Sequence, residues 1–199
     1  MLRLPQSVFE TAVHEAGHAV QAFLTGMGIH RLSIDPPLIR TKEQHQLEGA
    51  GYNLLTPVKR EDRLVDFYRR DIQVRVAGPL ASLRLQHETL EQSLKSVVPE
   101  ETELWLWGGA SSETSMGDED VALHEATILS RWHPLKPEPY VRWVKGVVWH
   151  ETILDSRRWT AVIRLAEELN LNGTLSGRDA QLLLSDVLGD IAETEAIRQ

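Results

Sequence analysis

The stretch TAVHEAGHAV, residues 11–20, sets His14 and His18 four positions apart, with Glu15 directly after the first. On an α-helix, residues i and i+4 lie on one face, one turn apart, so two imidazoles can point at a single ion. Glu15 is rotated by about 100° from His14. From there its carboxylate can reach a water on the ion without ligating it. This is the H-E-x-x-H arrangement of metallopeptidases. Zinc held in this way lowers the pKa of a bound water to about 7 and polarises a scissile carbonyl. Glu15 would take the proton of that water and pass it to the leaving amine. The bland alternative is a helix carrying two hydrogen-bonded core histidines. Gly17 weighs against it, because a glycine inside a helix costs about 1 kcal/mol relative to alanine. A helix keeps one most readily where something must approach closely. The segment His124-Glu125-Ala126 repeats the first three letters but has Ile128 at i+4, so that copy cannot chelate alone. For His30, His45, His87, His133 and His150, solvent exposure or an ordinary hydrogen bond is the expected role.

These groups need elements to hold them. Ser7-x-x-Glu10 is a capping-box pattern opening a first helix. Phe9, Ala12, Val13, Ala16, Val20, Phe23 and Leu24 recur at helical spacing, and Gly26 and Gly28 end the run after about 18 residues. Arg31 to Asp35 alternates and then meets Pro36–Pro37, which predicts a short strand at a sheet edge. Residues 40–50 read as a loop and Gly51 to Leu55 as a second short strand. An amphipathic helix follows Glu61–Asp62, with Gly78–Pro79 kinking or ending it before Leu80, Leu83 and Leu85 resume. Residues 99–117 read as a long Gly/Ser-rich loop, of the kind that serves as a lid or stays disordered. A helix is predicted over about Asp118 to Arg131, then a proline-rich break at His133 to Pro139. Helical spacing runs from about Tyr140 to Leu169, broken near His150 and capped by Asn172–Gly173. Ser176-x-x-Asp179 starts a last helix through about Ile197. The expectation is a mainly α (α+β) fold with a small β-strand pair.

With 199 residues the chain is long enough for a sizeable core. No apolar run reaches the roughly 18 residues of a membrane span, and no signal-peptide core precedes residue 10. A cytoplasmic protein is expected. The absence of cysteine removes disulfides and thiolate metal sites together, so any metal must be held by His, Asp or Glu. The formal charge of -8 argues against nucleic acid as a partner.

At this point the residues resemble the peptidase domain of the FtsH-type ATP-dependent zinc metalloproteases. The similarity begins with ETAVHEAGHAVQAFLTG and continues in GAGYNLLTPVKREDRL, where the family shows a Gly-Tyr strand, a proline and an acidic pair. IQVRVAGPLASLR is similar to a family helix with two glycines, Gly78 matching one and Pro79 departing. ILDSRRWTAVIRLAEELNLNGTLSGRDAQLLL is similar to the closing helix pair. The resemblance implies one helical, zincin-like peptidase domain over residues 1–199, with catalytic elements to about residue 132 and a C-terminal helical part over about 140–199. The family supplies its third metal ligand as an aspartate at a helix start after a Gly/Ser-rich loop. Asp120, before Val121, is the choice here, with Asp118 and Glu119 as close rivals and Glu125 or His124 if the helix register differs.

The resemblance further implies a zinc endopeptidase, with Glu15 as base and His14, His18 and Asp120 on Zn2+. The peptide would lie extended along an edge strand, for which Arg31 to Asp35 is the natural candidate. Trp105 and Trp107 either close the loop over that groove or pack it onto the core. Only thirteen residues precede His14, so the family's ATPase module and membrane anchors do not appear. Either the chain is a stand-alone, ATP-independent relative acting on unfolded segments or peptides, or it is a piece of something longer. A homo-oligomer and an ATPase partner in trans are both compatible with this reading. Two other functions compete: a metal-dependent amidase on a small molecule, and a silent binding or adaptor protein.

Overall fold

The computed structural model describes residues 8–34, 37–41, 57–93 and 117–189. The fold is mainly helical with a small antiparallel sheet, as the sequence predicts. Helix α1 (Val8–Leu24) carries the H-E-x-x-H segment and is buried nearly all round from Ala12 to Ala22. A helix apolar on every side belongs in the middle of a core. It packs against α2 (Pro57–Ser93), against α5 (Ser156–Asn172) and against β1 (Ile29–Ile34). Gly17 meets α2 closely: a Cβ there would lie 2.6 Å from Ala81 Cβ and 2.9 Å from the Ala77 carbonyl oxygen. The interior glycine thus serves the approach that its position suggests.

Helix α2 continues through Gly78–Pro79, so the helix does not end there. Helix α3 (Asp118–Leu129) and α4 (Pro137–Val148) both pack on α2. The predicted break near His150 is a π-helical turn, Trp149–Ile153, after which Asp155 caps α5 by accepting from Arg158 N–H at 2.8 Å. Thr152 of the π turn is buried and donates to Gln21 Oε1 at 2.7 Å, and Gln21 donates in turn to Gln73 at 3.1 Å. This polar chain ties the turn to α1 and α2. The Arg84 guanidinium of α2 lies over the Trp159 ring at 4.3 Å and donates to the Ile153 carbonyl. Buried residues from α1 through α6 (Gly177–Leu188) form one core cluster.

The sheet corrects one expectation. Strand β1 is not an edge. It lies between β2 (Pro37–Thr41) and β3 (Thr174–Ser176), antiparallel to both. Proline 37 opens β2, a position that proline tolerates. Leu32 pairs with Ile39 on one side and with Leu175 on the other. A three-residue strand is too short to show a period, so β3 was not visible in the sequence. It comes in close because α6 starts with glycine: a Cβ on Gly177 would lie 2.0 Å from the Ile29 carbonyl oxygen. With both edges of β1 occupied, a peptide cannot add to Arg31–Ile34. The last helix stops at Leu188, short of the predicted Ile197, because Gly189 turns the chain at φ 66 and closes the helix on Ser185 O. The predicted capping Ser7, the strand Gly51–Leu55 and the loop 99–116 with its tryptophans lie outside the described residues.

Candidate metal centre

Helix α1 points His14 and His18 the same way, and their Nε2 atoms stand 3.1 Å apart. Helix α3 brings its first residue to them. Asp118 Oδ2 lies 3.1 Å from His14 Nε2 and 3.3 Å from His18 Nε2. Among the described residues, these three are the group whose ligand atoms converge well enough to hold a metal ion.

The donor set fits zinc. Ligand atoms about 2.0 Å from a tetrahedral ion stand about 3.3 Å from one another, and the observed triangle has edges of 3.1, 3.1 and 3.3 Å. The outer contacts also fit. A carbonyl oxygen can only accept, so His18 Nδ1 carries its proton and donates to Val74 O at 2.6 Å. That leaves the lone pair of His18 on Nε2, facing the other two ligand atoms. His14 Nδ1 is placed to donate to Ser82 Oγ at 3.1 Å. Fixing the tautomer through the remote nitrogen is what ligand histidines require. The His18 side chain is buried, while those of His14 and Asp118 keep 22% and 24% exposure, so the group opens to solvent on their side.

Asp118 replaces Asp120 as the third member, which corrects the choice made from sequence. Asp120 is two residues on, about 200° round the helix. Its carboxylate folds back to accept from Gly117 N–H at 3.1 Å and caps the helix. Glu119 pairs with Lys145 of α4 at 2.5 Å. His124 is exposed, and Glu125 is buried against α2 instead of reaching the histidines.

Electrostatics separate the acids. Burial works to raise the Asp118 carboxyl, but hydrogen bonds and charge from His14 and His18 outweigh it and hold the group well below the usual carboxylate range. Glu15 is 5% exposed and is pushed up to about 7, mainly by burial. The His14 and Arg75 charges pull it down and Asp118 pushes it up. A carboxyl near neutrality beside a ligand group can both take and return a proton at working pH.

Sequence reasoning missed the residues of α2 that surround the ligands. Besides Val74 and Ser82 these are Arg75, which pairs with Asp118 at 3.4 Å, and Gly78, whose absent side chain leaves room for the His18 ring. Their signal was the spacing 71, 74, 75, 78 and 82, one face of one helix. No protein-family model and no curated protein sequence matches this chain. No helix of the described residues is long and apolar enough to cross a membrane.

Proposed function

We propose that the chain is a zinc-dependent endopeptidase of the FtsH type, hydrolysing peptide bonds in unfolded segments or peptides. The observation that carries the reading is the convergence of His14 Nε2, His18 Nε2 and Asp118 Oδ2 beside a buried Glu15. Zinc at those three atoms would supply Lewis acidity, acidifying a water and polarising the scissile carbonyl. Val74 O holds His18 in the tautomer that frees Nε2, and Ser82 Oγ can accept from His14 Nδ1 in the same tautomer. Glu15 takes a proton from the attacking water as its oxygen bonds to the carbonyl carbon. It then delivers that proton to the amine nitrogen as the C–N bond breaks. Asp118 would serve as a carboxylate, Oδ2 toward the ion and Oδ1 facing the Arg75 guanidinium at 3.4 Å.

The test pairs metal analysis with turnover. Purified protein should hold about one zinc per chain, lost in His14→Ala. Glu15→Gln should keep the metal and lose cleavage of unfolded casein by at least about 100-fold, the lower end of what a general base contributes. If Glu15→Gln cuts casein at the parental rate, Glu15 is not the base. Hydrolysis of small amides with intact casein would move the reading to an amidase.

A further inference from the structure

We propose that Arg75, held in place by a buried Asp71–Glu125 pair, positions Asp118 as the third ligand. The guanidinium takes Oδ1, leaving Oδ2 to face the two histidines. The inference rests on the metal centre described above and goes beyond it to the residues that set its third arm.

Asp118 is the first residue of α3, and a residue at a helix start has no preceding turn to hold it. The contact that fixes it comes from α2. Arg75 Nη1 lies 3.4 Å from Asp118 Oδ1, on the side away from the histidines, which take Oδ2. Arg75 is itself held from behind. The hold is ionic: its Nε lies 3.5 Å from Asp71 Oδ2, one turn back on the same helix, without a hydrogen bond of its own among the described residues, and Asp71 is 1% exposed. Asp71 also hydrogen-bonds with Glu125 of α3. Glu125 stands seven residues after Asp118, two turns along the same face of α3. Helix α3 is therefore pinned to α2 twice on that face, through Asp118–Arg75 and through Glu125–Asp71. The double contact sets the rotation of α3, so that Asp118 faces the histidines and Asp120 does not.

The charges are consistent with this arrangement. Two buried carboxylates beside one guanidinium would leave a surplus negative charge next to Asp118. Glu125 Oε2 is buried without a hydrogen-bond partner among the described residues, a costly state for an ionised oxygen and a tolerable one for a neutral acid. Burial and the Asp71 charge push Glu125 up to about 9, so it keeps its proton at neutral pH. Arg75 then bridges two carboxylates, Asp71 and Asp118.

The test measures zinc affinity of the full chain by competition with a chromophoric chelator, together with the visible spectrum of the cobalt-substituted protein. Arg75→Met should weaken zinc binding by about 10- to 100-fold, as loss of an outer-shell partner does, and should shift the cobalt bands. Arg75→Lys keeps the charge but loses the fork; it should also weaken binding, and it carries the test if Arg75→Met does not fold. Glu125→Gln supplies an amide N–H to Asp71 in place of the acid O–H and should hold zinc within about threefold of the parent, well short of an outer-shell loss. A folded Arg75→Met or Arg75→Lys protein with parental affinity and an unchanged cobalt spectrum overturns the inference while leaving the metal centre intact. Glu125→Gln losing zinc as strongly as Arg75→Met overturns the part played by the neutral acid. A parent chain that binds no zinc overturns the metal centre itself, and this inference with it.

Discussion

Gly78→Ala is the substitution for which the structure makes the sharpest demand. In a helix interior this exchange ordinarily stabilises by about 1 kcal/mol. Here an added Cβ would lie 2.3 Å from His18 Nε2, 2.5 Å from Cε1 and 2.7 Å from Cδ2. No real Cβ sits that close, so either the ring or α2 must move. The ring has little freedom, being buried and held through Nδ1 on Val74 O at 2.6 Å. Helix α2 has little either, since Ala77 and Ala81 already press on Gly17. Overpacking of this kind costs about 1–3 kcal/mol. Against the propensity gain, the metal-free protein should lose up to about 2 kcal/mol. Zinc affinity should fall further, by at least about 100-fold, the upper limit for losing a mere outer-shell contact, because a ligand atom itself is displaced. Urea unfolding with chelator present gives the first quantity and chelator competition the second. A Gly78→Ala protein more stable than its parent, with parental zinc affinity, would show that the His18 ring does not lie under α2 at this point.

Separate Asp118→Ala and Asp120→Ala proteins should part company in a metal assay. The first should lose zinc, while the second should keep it and lose about 0.3–1.5 kcal/mol of stability with the N3 half of its capping box; the reverse pattern would restore Asp120 as the ligand. Glu125 gives a signed pH dependence. Its folded-state value near 9 exceeds the ordinary 4.5, so between them the folded chain keeps a proton that the unfolded chain has released. Stability should therefore fall as pH rises through that window, by at most about 1.4 kcal/mol per pH unit. Asp71 and Arg75 of α2 are the charged groups facing it, and Glu125→Gln should flatten the slope in urea midpoints taken at several pH values. Parallel profiles for the two proteins would mean that Glu125 is ionised in the fold. Zinc at about 1,000 times its Kd should raise unfolding stability by about 4 kcal/mol over the chelated protein, read as a shift in the urea midpoint.

The elements with strong periods were legible. Helix α1 falls within a residue or two of its predicted span, and the break near His150 is real. His14 and His18 come together with a helix-start aspartate, the kind of third group the resemblance implies, and Glu15 is buried beside them. What the sequence could not settle was which of three consecutive acids faces inward, because Asp118, Glu119 and Asp120 differ only by 100° steps. That rotation is set by α3 resting on α2, a tertiary fact. The edge assignment for Arg31–Asp35 failed for a related reason. Its second neighbour, β3, comes from Thr174–Ser176, some 140 residues away, and only Gly177 lets that segment close in.

The candidate ligands come from α1 and α3, yet their outer contacts come from one stripe of α2. Asp71, Val74, Arg75, Gly78 and Ser82 follow at helical spacing. Val74 O holds His18, Ser82 Oγ holds His14, Arg75 holds Asp118, and Gly78 makes the space in which the His18 ring sits. A small rotation of α2 would therefore disturb all three ligands at once, whereas a rotation of α1 or α3 would disturb only its own. The second H-E-A segment shows why such a stripe is needed. In α3 the same letters leave His124 exposed and turn Glu125 onto Asp71. There the glutamate joins helix to helix; in α1 it stands beside a ligand. The difference lies in what α2 presents to each helix: beside α1 it frames a group that could hold a metal ion, and beside α3 it offers a packing contact.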